Sequence, residues 1–211
     1  MKSRELWRPS NMLYPCPAVM VSSASADGKP NIMTAAWAGT VCSDPVMVSV
    51  SIRRERYSYE IIHSTGEFVI NLTTRSLVKA ADYCGVRSGR DTDKFEKMHL
   101  TPVKGSTVNA PLIDESPVCL ECRVKQEIDL GSHVMFVAEV TAVSVDASLI
   151  STSGRLELEK ADLAAYSHGE YFALGESLGK FGFSVRKRTA GRTGAGPKKR
   201  SKSTKTSRRK E

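Results

Sequence analysis

Apolar and polar residues alternate along much of this chain, as they do in β-strands. Between residues 45 and 52, three valines and an isoleucine alternate with one methionine and two serines. A period of two sends alternate side chains to opposite faces of a strand. Residues 118–128 alternate in the same way, whereas residues 133–145 are almost continuously apolar, which predicts a strand buried on both faces. The pattern predicts strands over residues 18–25, 31–37, 45–52, 67–72, 118–128 and 133–145.

Two short helices are predicted between these strands. The first covers residues 58–64 and has Ser58 at its N-cap, and the second covers residues 76–84 and stops at Gly85. Residues 92–98 predict one further helical turn. Many strands with few short helices indicate a mainly β fold, a barrel or a sandwich, and argue against a doubly wound α/β sheet.

Positive charge is concentrated at the carboxyl end of the chain. Residues 186–211 hold 12 Lys and Arg and one acidic residue, whereas the other 185 residues hold 19 basic and 22 acidic side chains. We therefore predict one domain over residues 1–185 and a basic tail over 186–211. The tail is rich in Gly, Ser, Thr and Lys and is expected to be disordered. Any contact that it makes with nucleic acid or other anions is expected to be weak and non-specific.

The overall composition predicts a cytoplasmic protein. No apolar run approaches the ~20 residues of a membrane-spanning helix, and the first residues lack the apolar region of a secretory signal. Five cysteines, an odd and unevenly spaced set, do not indicate a disulfide framework. We expect no contact with a membrane.

Two motifs suggest chemistry that their context does not favour. Cys119 and Cys122 form a C-x-x-C, but residues three apart in a strand point to opposite faces, which argues against a metal or dithiol site. The stretch GESLGKF at 175–181 is one residue short of a phosphate-binding P-loop. No hydrolase nucleophile motif is present. Among the four histidines, His133 stands out because it follows the turn at Gly131-Ser132 and opens a strand.

The stretch SGRDTDKF at residues 88–95 has two interpretations. Its Gly, Ser and Asp residues are common in solvent-exposed loops. Its hydroxyl and cations could instead hold a phosphate, with Ser88 and Lys94 as direct ligands. In that case Asp91 and Asp93 would face away, pairing with Arg90 or capping the turn.

A second group of hydroxyls and cations surrounds the start of the first predicted helix. Ser51, Arg53 and Arg54 precede this helix, and Ser58 begins it. A dianionic phosphate favours such groups at a helix N-terminus. Taken alone, this basic stretch is more typical of a solvated loop.

Taken together, ten segments resemble the flavin reductase-like, FMN-binding split-barrel family, most closely its flavoredoxin-type members. The similarity covers about residues 10 to 185, and its specificity lies in the order and spacing of the segments. They are NIMTAAW (31–37), DPVMVSVSI (44–52), RYS (56–58), II (61–62), EFVINL (67–72), CG (84–85), SGRDTDKF (88–95), LEC (120–122), GSH (131–133) and LGKFGF (178–183).

This resemblance implies a Greek-key split β-barrel that forms a homodimer and holds FMN near the subunit interface. It also reverses the interpretation of SGRDTDKF, because phosphate contacts of the family fall there and at the first helix. Members of the family often have Gly-Asp-His where this chain has Gly131-Ser132-His133, so the orientation and protonation of His133 are less constrained. The residues expected to bind the cofactor are Asn31, Met33, Thr34, Ala35, Ala36, Trp37, Ser49, Ser51, Arg53, Arg54, Tyr57, Ser58, Asn71, Ser88, Lys94 and Phe95.

The function expected from this resemblance is hydride transfer from NADH or NADPH to N5 of FMN, followed by electron transfer to an acceptor that the sequence does not identify. His133 is the candidate catalytic residue, on the nicotinamide side. Two alternatives stay open: an electron carrier without nicotinamide chemistry, and a nucleic-acid-associated protein that acts through its basic tail. The redox chemistry would belong to the cofactor and would require no metal or protein nucleophile.

Overall fold

A computed structural model describes residues 2–185 and confirms a mainly β fold with a few short helices. The helices in this part of the chain are α1 (Tyr57–Thr65), α2 (Val78–Val86) and α3 (Lys94–Lys97), with short 3-10 turns at Arg75–Leu77, Ala147–Leu149, Leu158–Lys160 and Phe183–Val185. The strands are β1 (Cys16–Pro17), β2 (Val19–Ala24), β3 (Pro30–Ala35), β4 (Ala38–Ser43), β5 (Val46–Arg53), β6 (Glu67–Leu72), β7 (Pro102–Val103), β8 (Leu112–Ile113), β9 (Val118–Asp129), β10 (His133–Val145), β11 (Ala164–Ser167) and β12 (Glu170–Ala173).

All six strands predicted from the alternation are present, as β2, β3, β5, β6, β9 and β10, with ends that shift by two residues at most. The pattern missed β4 and the short strands near the ends of the domain. The sequence of β4, AGTVCS, consists mostly of small and polar residues, and most of the strand is exposed. Apolar periodicity cannot reveal a strand that contributes little to the core.

Three details of the sequence-based prediction were wrong. Arg56, not Ser58, is the N-cap of α1, and Ser58 is buried within the first turn. Helix α2 continues past Gly85 to Val86. Strand β10 is not buried on both faces: its first half alternates between buried and half-buried residues, and its second half is partly exposed. The helical turn predicted over residues 92–98 is confirmed as α3.

Seven strands form one antiparallel sheet in the order β3-β2-β6-β9-β10-β5-β4. Its two edge strands, β3 and β4, are joined by only Ala36 and Trp37. In a flat sheet, the edges of seven strands would lie about 29 Å apart, whereas three Cα–Cα steps span at most about 11 Å. The sheet must therefore curl on itself. The Ser51 amide donates to the Trp37 carbonyl at 2.9 Å, which extends the pairing of β4 with β5 by one residue into this connection.

Alternating residues of these strands build two separate hydrophobic clusters. Val19 and Val21 of β2 point into the barrel, where they meet Phe68 and Phe136. Met20, between them, points outward and packs against α2 and α3. This outer layer holds α2 and α3 against the sheet, next to the candidate site.

The cysteine pair of β9 follows the same alternation, as the sequence predicted. Cys122 belongs to the barrel interior, and Cys119 packs in a third cluster on the outer side with Val69 and Val108. Burial raises the pKa of both thiols, that of Cys122 to about 12. Within residues 2–185, no three His, Cys, Asp or Glu side chains are grouped in a way that could hold a metal ion.

Glu121 is a fully buried acidic residue on the outer side of β9. Its carboxylate accepts hydrogen bonds from the backbone and hydroxyl of Ser106 and of Thr107, and from the Val108 amide. Burial opposes ionisation, but these donors outweigh it and lower the pKa of Glu121 to about 2. The carboxylate therefore fixes the loop before β8 by hydrogen bonds instead of an ion pair.

The chain divides into two compact units, Met1–Gly175 and Glu176–Glu211. Of the second unit, the structure describes residues 176–185, which contain the short turn Phe183–Val185. The predicted disordered tail, residues 186–211, lies outside the described residues. No helix in residues 2–185 is both long and apolar enough to cross a membrane.

Candidate functional site

A continuous cleft runs along β3, between the start of α1, the end of α2 and the outer face of β5. It consists of an inner cavity of about 170 Å³, a middle cavity of about 380 Å³ and an outer cavity of about 840 Å³. The inner and middle cavities share Met33, Arg56, Gly85 and Val86 as lining residues. The middle and outer cavities share the lining residues Ala36, Trp37, Ser51, Arg53 and His133.

The inner cavity lies at the N-terminus of α1. No side chain caps this helix, and its N-cap residue Arg56 donates from Nη1 to the Gly85 carbonyl at 3.2 Å. Ser58 is only 2% exposed, and its Oγ accepts a hydrogen bond of 2.7 Å from Nδ2 of Asn31. The positive end of the helix dipole, an arginine and hydroxyl groups together favour an anion at this position.

Asn31 contains an unsatisfied acceptor at the inner cavity. Its Oδ1 is buried and has no hydrogen-bond partner in the described part of the chain. The backbone of Gly89 lies directly against this oxygen, so closely that a Cβ at residue 89 would overlap it. A buried acceptor without a donor costs about 1–3 kcal/mol, and a ligand hydroxyl would satisfy it.

Lys94 is buried in the wall of the inner cavity, with 5% of its surface exposed. Its Nζ donates to the carbonyls of Ile32 at 2.6 Å and Cys84 at 3.0 Å. Burial lowers the pKa of Lys94 to about 8, and burial raises the pKa of the neighbouring Cys84 thiol to about 11. The ammonium group therefore links β3 to α2 and lies at the edge of the space where an anion would bind.

The remaining SGRDTDKF side chains are held by local contacts. Ser88 lines the inner cavity, and its Oγ accepts from the Arg90 amide at 3.2 Å. Arg90 pairs with Glu60, so of the two roles expected for the aspartates, pairing with Arg90 is not observed. Asp93 caps α3 by accepting from the Glu96 amide, in agreement with its expected capping role.

The middle cavity combines small and apolar groups with charged and polar ones. Residues Met33 to Trp37 form one wall, continued by Ser51 and Ile52, and the lining also includes Arg53, Arg56, Asp82 and His133. Thr34 donates a hydrogen bond to the Ala81 carbonyl, and its Cβ lies so near Gly85 that a Cβ added there would come within 3.3 Å of it. A wall of small residues allows a planar ring to approach the backbone closely.

The outer cavity opens beside Trp37 and His133. The outward residues of β5, Ser49, Ser51 and Arg53, form its floor. His133 is the direct pairing partner of Arg53 in the sheet, and its Nδ1 lies 2.9 Å from the Ser132 hydroxyl. Burial, with a further contribution from the charge of Arg53, lowers the pKa of His133, so the imidazole is neutral at pH 7.

Three of the predicted cofactor residues lie outside the cleft. Arg54 donates to Tyr59 Oη and to Asp129, Asn71 is buried in the core, and Phe95 packs in the cluster around α2 and α3. Thus Phe95 does not face the cleft, contrary to our expectation. The other predicted residues line it: Asn31, Met33, Thr34, Ala35, Ala36, Trp37, Ser49, Ser51, Arg53, Tyr57, Ser58, Ser88, Lys94 and His133.

Several lining residues were missed in the sequence. Arg56 and Arg87 flank the inner cavity, and Tyr166 and Tyr171 flank the middle one. The N-terminal position of Arg56 on α1 was a usable signal. The two tyrosines are brought in by the β11–β12 hairpin, which the apolar pattern did not predict.

Comparison with known proteins identifies the family of this chain. The model of the flavin reductase like domain matches residues 12–175. The chain therefore belongs to the flavin reductase-like family, and the resemblance seen in the sequence is confirmed.

Solved structures agree with this assignment. Flavoredoxin of Desulfovibrio vulgaris (Miyazaki F) is 35% identical to this chain, with a TM-score of 0.82 over 87% of this chain and all of that one. Flavoredoxin from Methanosarcina acetivorans is 27% identical, with a TM-score of 0.78 and the same coverage of both chains. An uncharacterized protein of Archaeoglobus fulgidus is 37% identical over 132 residues, which are 63% of this chain and 73% of the relative.

The family, the split-barrel fold and the cleft together define the class of protein. The chain is a flavin-binding protein of the flavin reductase-like oxidoreductases. The cleft fits a flavin nucleotide in chemical terms: an anion site at a helix N-terminus, an unsatisfied acceptor beside it, and a middle cavity with one wall of small and apolar residues.

Proposed function

We propose that the protein is an FMN-dependent oxidoreductase that takes hydride from NADH or NADPH. The observation that carries this proposal is the series of three connected cavities: a polar, cationic cavity at α1, a middle cavity with a wall of small and apolar residues along β3, and an open outer cavity. The phosphate of FMN requires the inner environment, its ring requires the middle one, and a second ligand that exchanges requires the outer one.

The inner cavity residues would bind the phosphate and ribityl chain of FMN. The α1 amides, Arg56 and the hydroxyls of Ser58 and Ser88 would hold the phosphate, since all of them line this cavity. Asn31 Oδ1 would accept a hydrogen bond from a ribityl hydroxyl, which removes the cost of its unsatisfied state.

The middle and outer cavities would hold the reacting rings. Bound FMN supplies the two-electron chemistry, taking the hydride that NAD(P)H gives up as it becomes NAD(P)⁺ and passing two electrons to an acceptor. The small residues at 33–36 exclude water from one side of the ring. His133, neutral at pH 7, lies on the wall shared by both cavities and would orient the nicotinamide by a hydrogen bond.

The decisive experiment is anaerobic titration of the FMN-loaded protein with NADH and NADPH. Loss of the flavin absorbance near roughly 450 nm, with stoichiometric formation of NAD⁺ or NADP⁺, is the expected result. A purified protein that neither contains FMN nor binds it on reconstitution would overturn the cofactor assignment.

The alternative is an electron carrier that never reacts with nicotinamide. Similarity to two flavoredoxins keeps this alternative open. Retention of the flavin absorbance with both nicotinamides, together with its loss on photochemical or dithionite reduction, would favour the carrier.

We also propose that the protein acts as a homodimer. Several large apolar side chains of the first unit are exposed, and a subunit interface would bury them. They include Leu6, Trp7 and Leu13 near the amino end and Val41 and Val46 at the β4–β5 edge. Sedimentation velocity at micromolar concentration tests this, and a mass near 23.1 kDa would contradict it.

A further inference from the structure

Arg53 ends β5 beside the turn that leads into α1, where the Arg56 amide donates to its carbonyl at 3.0 Å, but Arg53 does not line the inner cavity. On β5, Val50 and Ile52 point into the barrel core, while Ser49, Ser51 and Arg53 point outward into the outer cavity. Arg53 lines the middle and outer cavities, but not the inner one that surrounds the start of α1. This position does not suit the phosphate role that the sequence suggested for it.

The guanidinium of Arg53 makes no hydrogen bond within residues 2–185, unlike those of its neighbours. Arg54 donates to Tyr59 and Asp129, and Arg56 donates to a backbone carbonyl. The nearest acidic partner of Arg53 is Glu55, whose carboxylate is 3.6 Å away, and both side chains are more than half exposed. Such a pair is weak in water, so the donors of Arg53 are available to a ligand.

The outer cavity has no negative charge on its walls. Of the residues that line it, Arg53 is the one with a permanent charge, and the others are neutral side chains that include Asn11, Ser132 and His133. Since His133 is directly opposite Arg53 in the sheet, a ring placed against His133 and Trp37 would bring an attached anionic group within reach of the guanidinium. A planar guanidinium binds phosphate oxygens in a bidentate manner.

We propose that Arg53 is a specificity-determining residue that binds the phosphate groups of the hydride donor, and not the phosphate of FMN. This inference rests on the proposed function. It assigns the outer cavity to a dihydronicotinamide that carries negative charge. It also predicts that the wild-type protein reacts poorly with an uncharged dihydronicotinamide.

The test compares Arg53→Ala with Arg54→Ala in the FMN-loaded protein. The two variants remove the same charge from adjacent residues, but Arg54 lies outside the cleft. Reduction of the flavin is followed with NADH, with NADPH and with 1-benzyl-1,4-dihydronicotinamide, an uncharged hydride donor. The affinity for FMN is measured separately by fluorescence titration of the cofactor-free proteins.

Arg53→Ala should raise the KM for NADH and NADPH about tenfold or more, the effect of losing one charge-assisted hydrogen-bonded pair. The rate with the uncharged donor and the affinity for FMN should stay within about twofold of wild type, and Arg53→Lys should recover part of the loss. Arg54→Ala should change none of these quantities. Equal losses in the two arginine variants, or a loss with the uncharged donor as large as that with NADPH, would overturn the assignment.

A binding measurement separates this inference from the proposed function. NADP⁺ is titrated into the oxidised FMN-loaded protein, and the perturbation of the flavin spectrum is recorded without turnover. If wild type binds NADP⁺ but Arg53→Ala binds it equally well, the inference fails while the proposed function stands. If the wild-type flavin is reduced by the uncharged donor but by neither nicotinamide nucleotide, the proposed function fails.

Discussion

The inner and outer cavities of the cleft both contain polar side chains, but those side chains are in different states. In the inner cavity, Asn31, Ser58 and Lys94 are each at most 5% exposed and bonded to one another or to the backbone. In the outer cavity, Arg53 is about half exposed, and within residues 2–185 the His133 side chain has Ser132 as its hydrogen-bond partner. The inner groups have already lost their water and their rotamer freedom.

This difference indicates which ligand stays and which exchanges. A site whose side chains are fixed before binding pays little ordering entropy and favours tight binding. A site with mobile, hydrated side chains must order them at each encounter, which favours a ligand that enters and leaves. The inner cavity therefore suits a resident cofactor, and the outer cavity suits a substrate.

Lys94→Met should produce the largest effect, because it removes the buried cation from the inner cavity while keeping the volume of the side chain. We expect the affinity for FMN to fall about 10- to 100-fold, the range for a hydrogen bond to a charged group. Fluorescence titration measures this loss.

Asp93→Ala provides the matched control for Lys94→Met. It removes the cap of the same short helix and should cost about 1 kcal/mol of unfolding free energy, but leave the affinity for FMN within about twofold. Equal losses of FMN affinity in the two variants would show that Lys94 acts through the stability of α3 alone.

Gly89→Ala should have the next largest effect. The added Cβ would overlap Asn31 Oδ1 and come within 3.2 Å of the Tyr57 ring, so the loop must move away from the inner cavity. We expect about a tenfold loss of FMN affinity. Gly39→Ala, in the outer cavity, adds a Cβ with nothing within 4 Å and should leave FMN affinity unchanged. A similar loss in both would remove the distinction between the cavities.

Binding of FMN should weaken several-fold as the pH rises from 7 to 9. The phosphate is already a dianion over this range, whereas Lys94 loses its proton near pH 8. Cys84, with its pKa near 11, stays a neutral thiol. Lys94→Met should lack this pH dependence, and a persisting one would assign it to another group.

The same shift in the pKa of Lys94 has an opposite effect on the stability of the cofactor-free protein. The folded-state pKa of about 8 is below the ordinary value of 10.5, so the unfolded chain binds more protons between these limits. The free energy of unfolding should therefore rise with pH across this window, relative to Lys94→Met. Urea denaturation at pH 8 and pH 10 measures the difference.

Removal of residues 187–211 should have the smallest effect on the cleft. We expect the affinity for FMN and the rate of NAD(P)H oxidation to stay within about twofold of the full chain. Any binding to single-stranded DNA should disappear with the tail and should weaken steeply with salt. A truncated protein that loses FMN would show instead that the tail takes part in the cofactor site.

Much of the cleft could be predicted from local sequence. Strand β3 was visible as the run of small and apolar residues that ends at Trp37, and the start of α1 was visible beside the arginines and Ser58. Both depend on residues close together in the chain, so the apolar periodicity and the capping chemistry record them directly.

Other residues of the site depended on partners far along the chain. Arg53 and Arg54 are adjacent and chemically identical, yet Arg54 is bonded to Asp129 and Arg53 faces the cleft. Phe95 and Asn71 look like ligands in the sequence, but packing against α2 and hydrogen bonding to the Ile113 amide keep them in the core. Sequence spacing contains no information about such long-range partners.

By itself, the sequence determined the family, six of the strands and fourteen of the residues that line the cleft, because alternation of side chains is a local property of each strand. Only the tertiary structure decided how that cleft divides. The pairing of β5 with β10 places Arg53 beside His133, and the packing of α3 buries Lys94. Strand register and side-chain burial arise from contacts between distant segments. These contacts make the polar groups of the inner cavity different from those of the outer cavity.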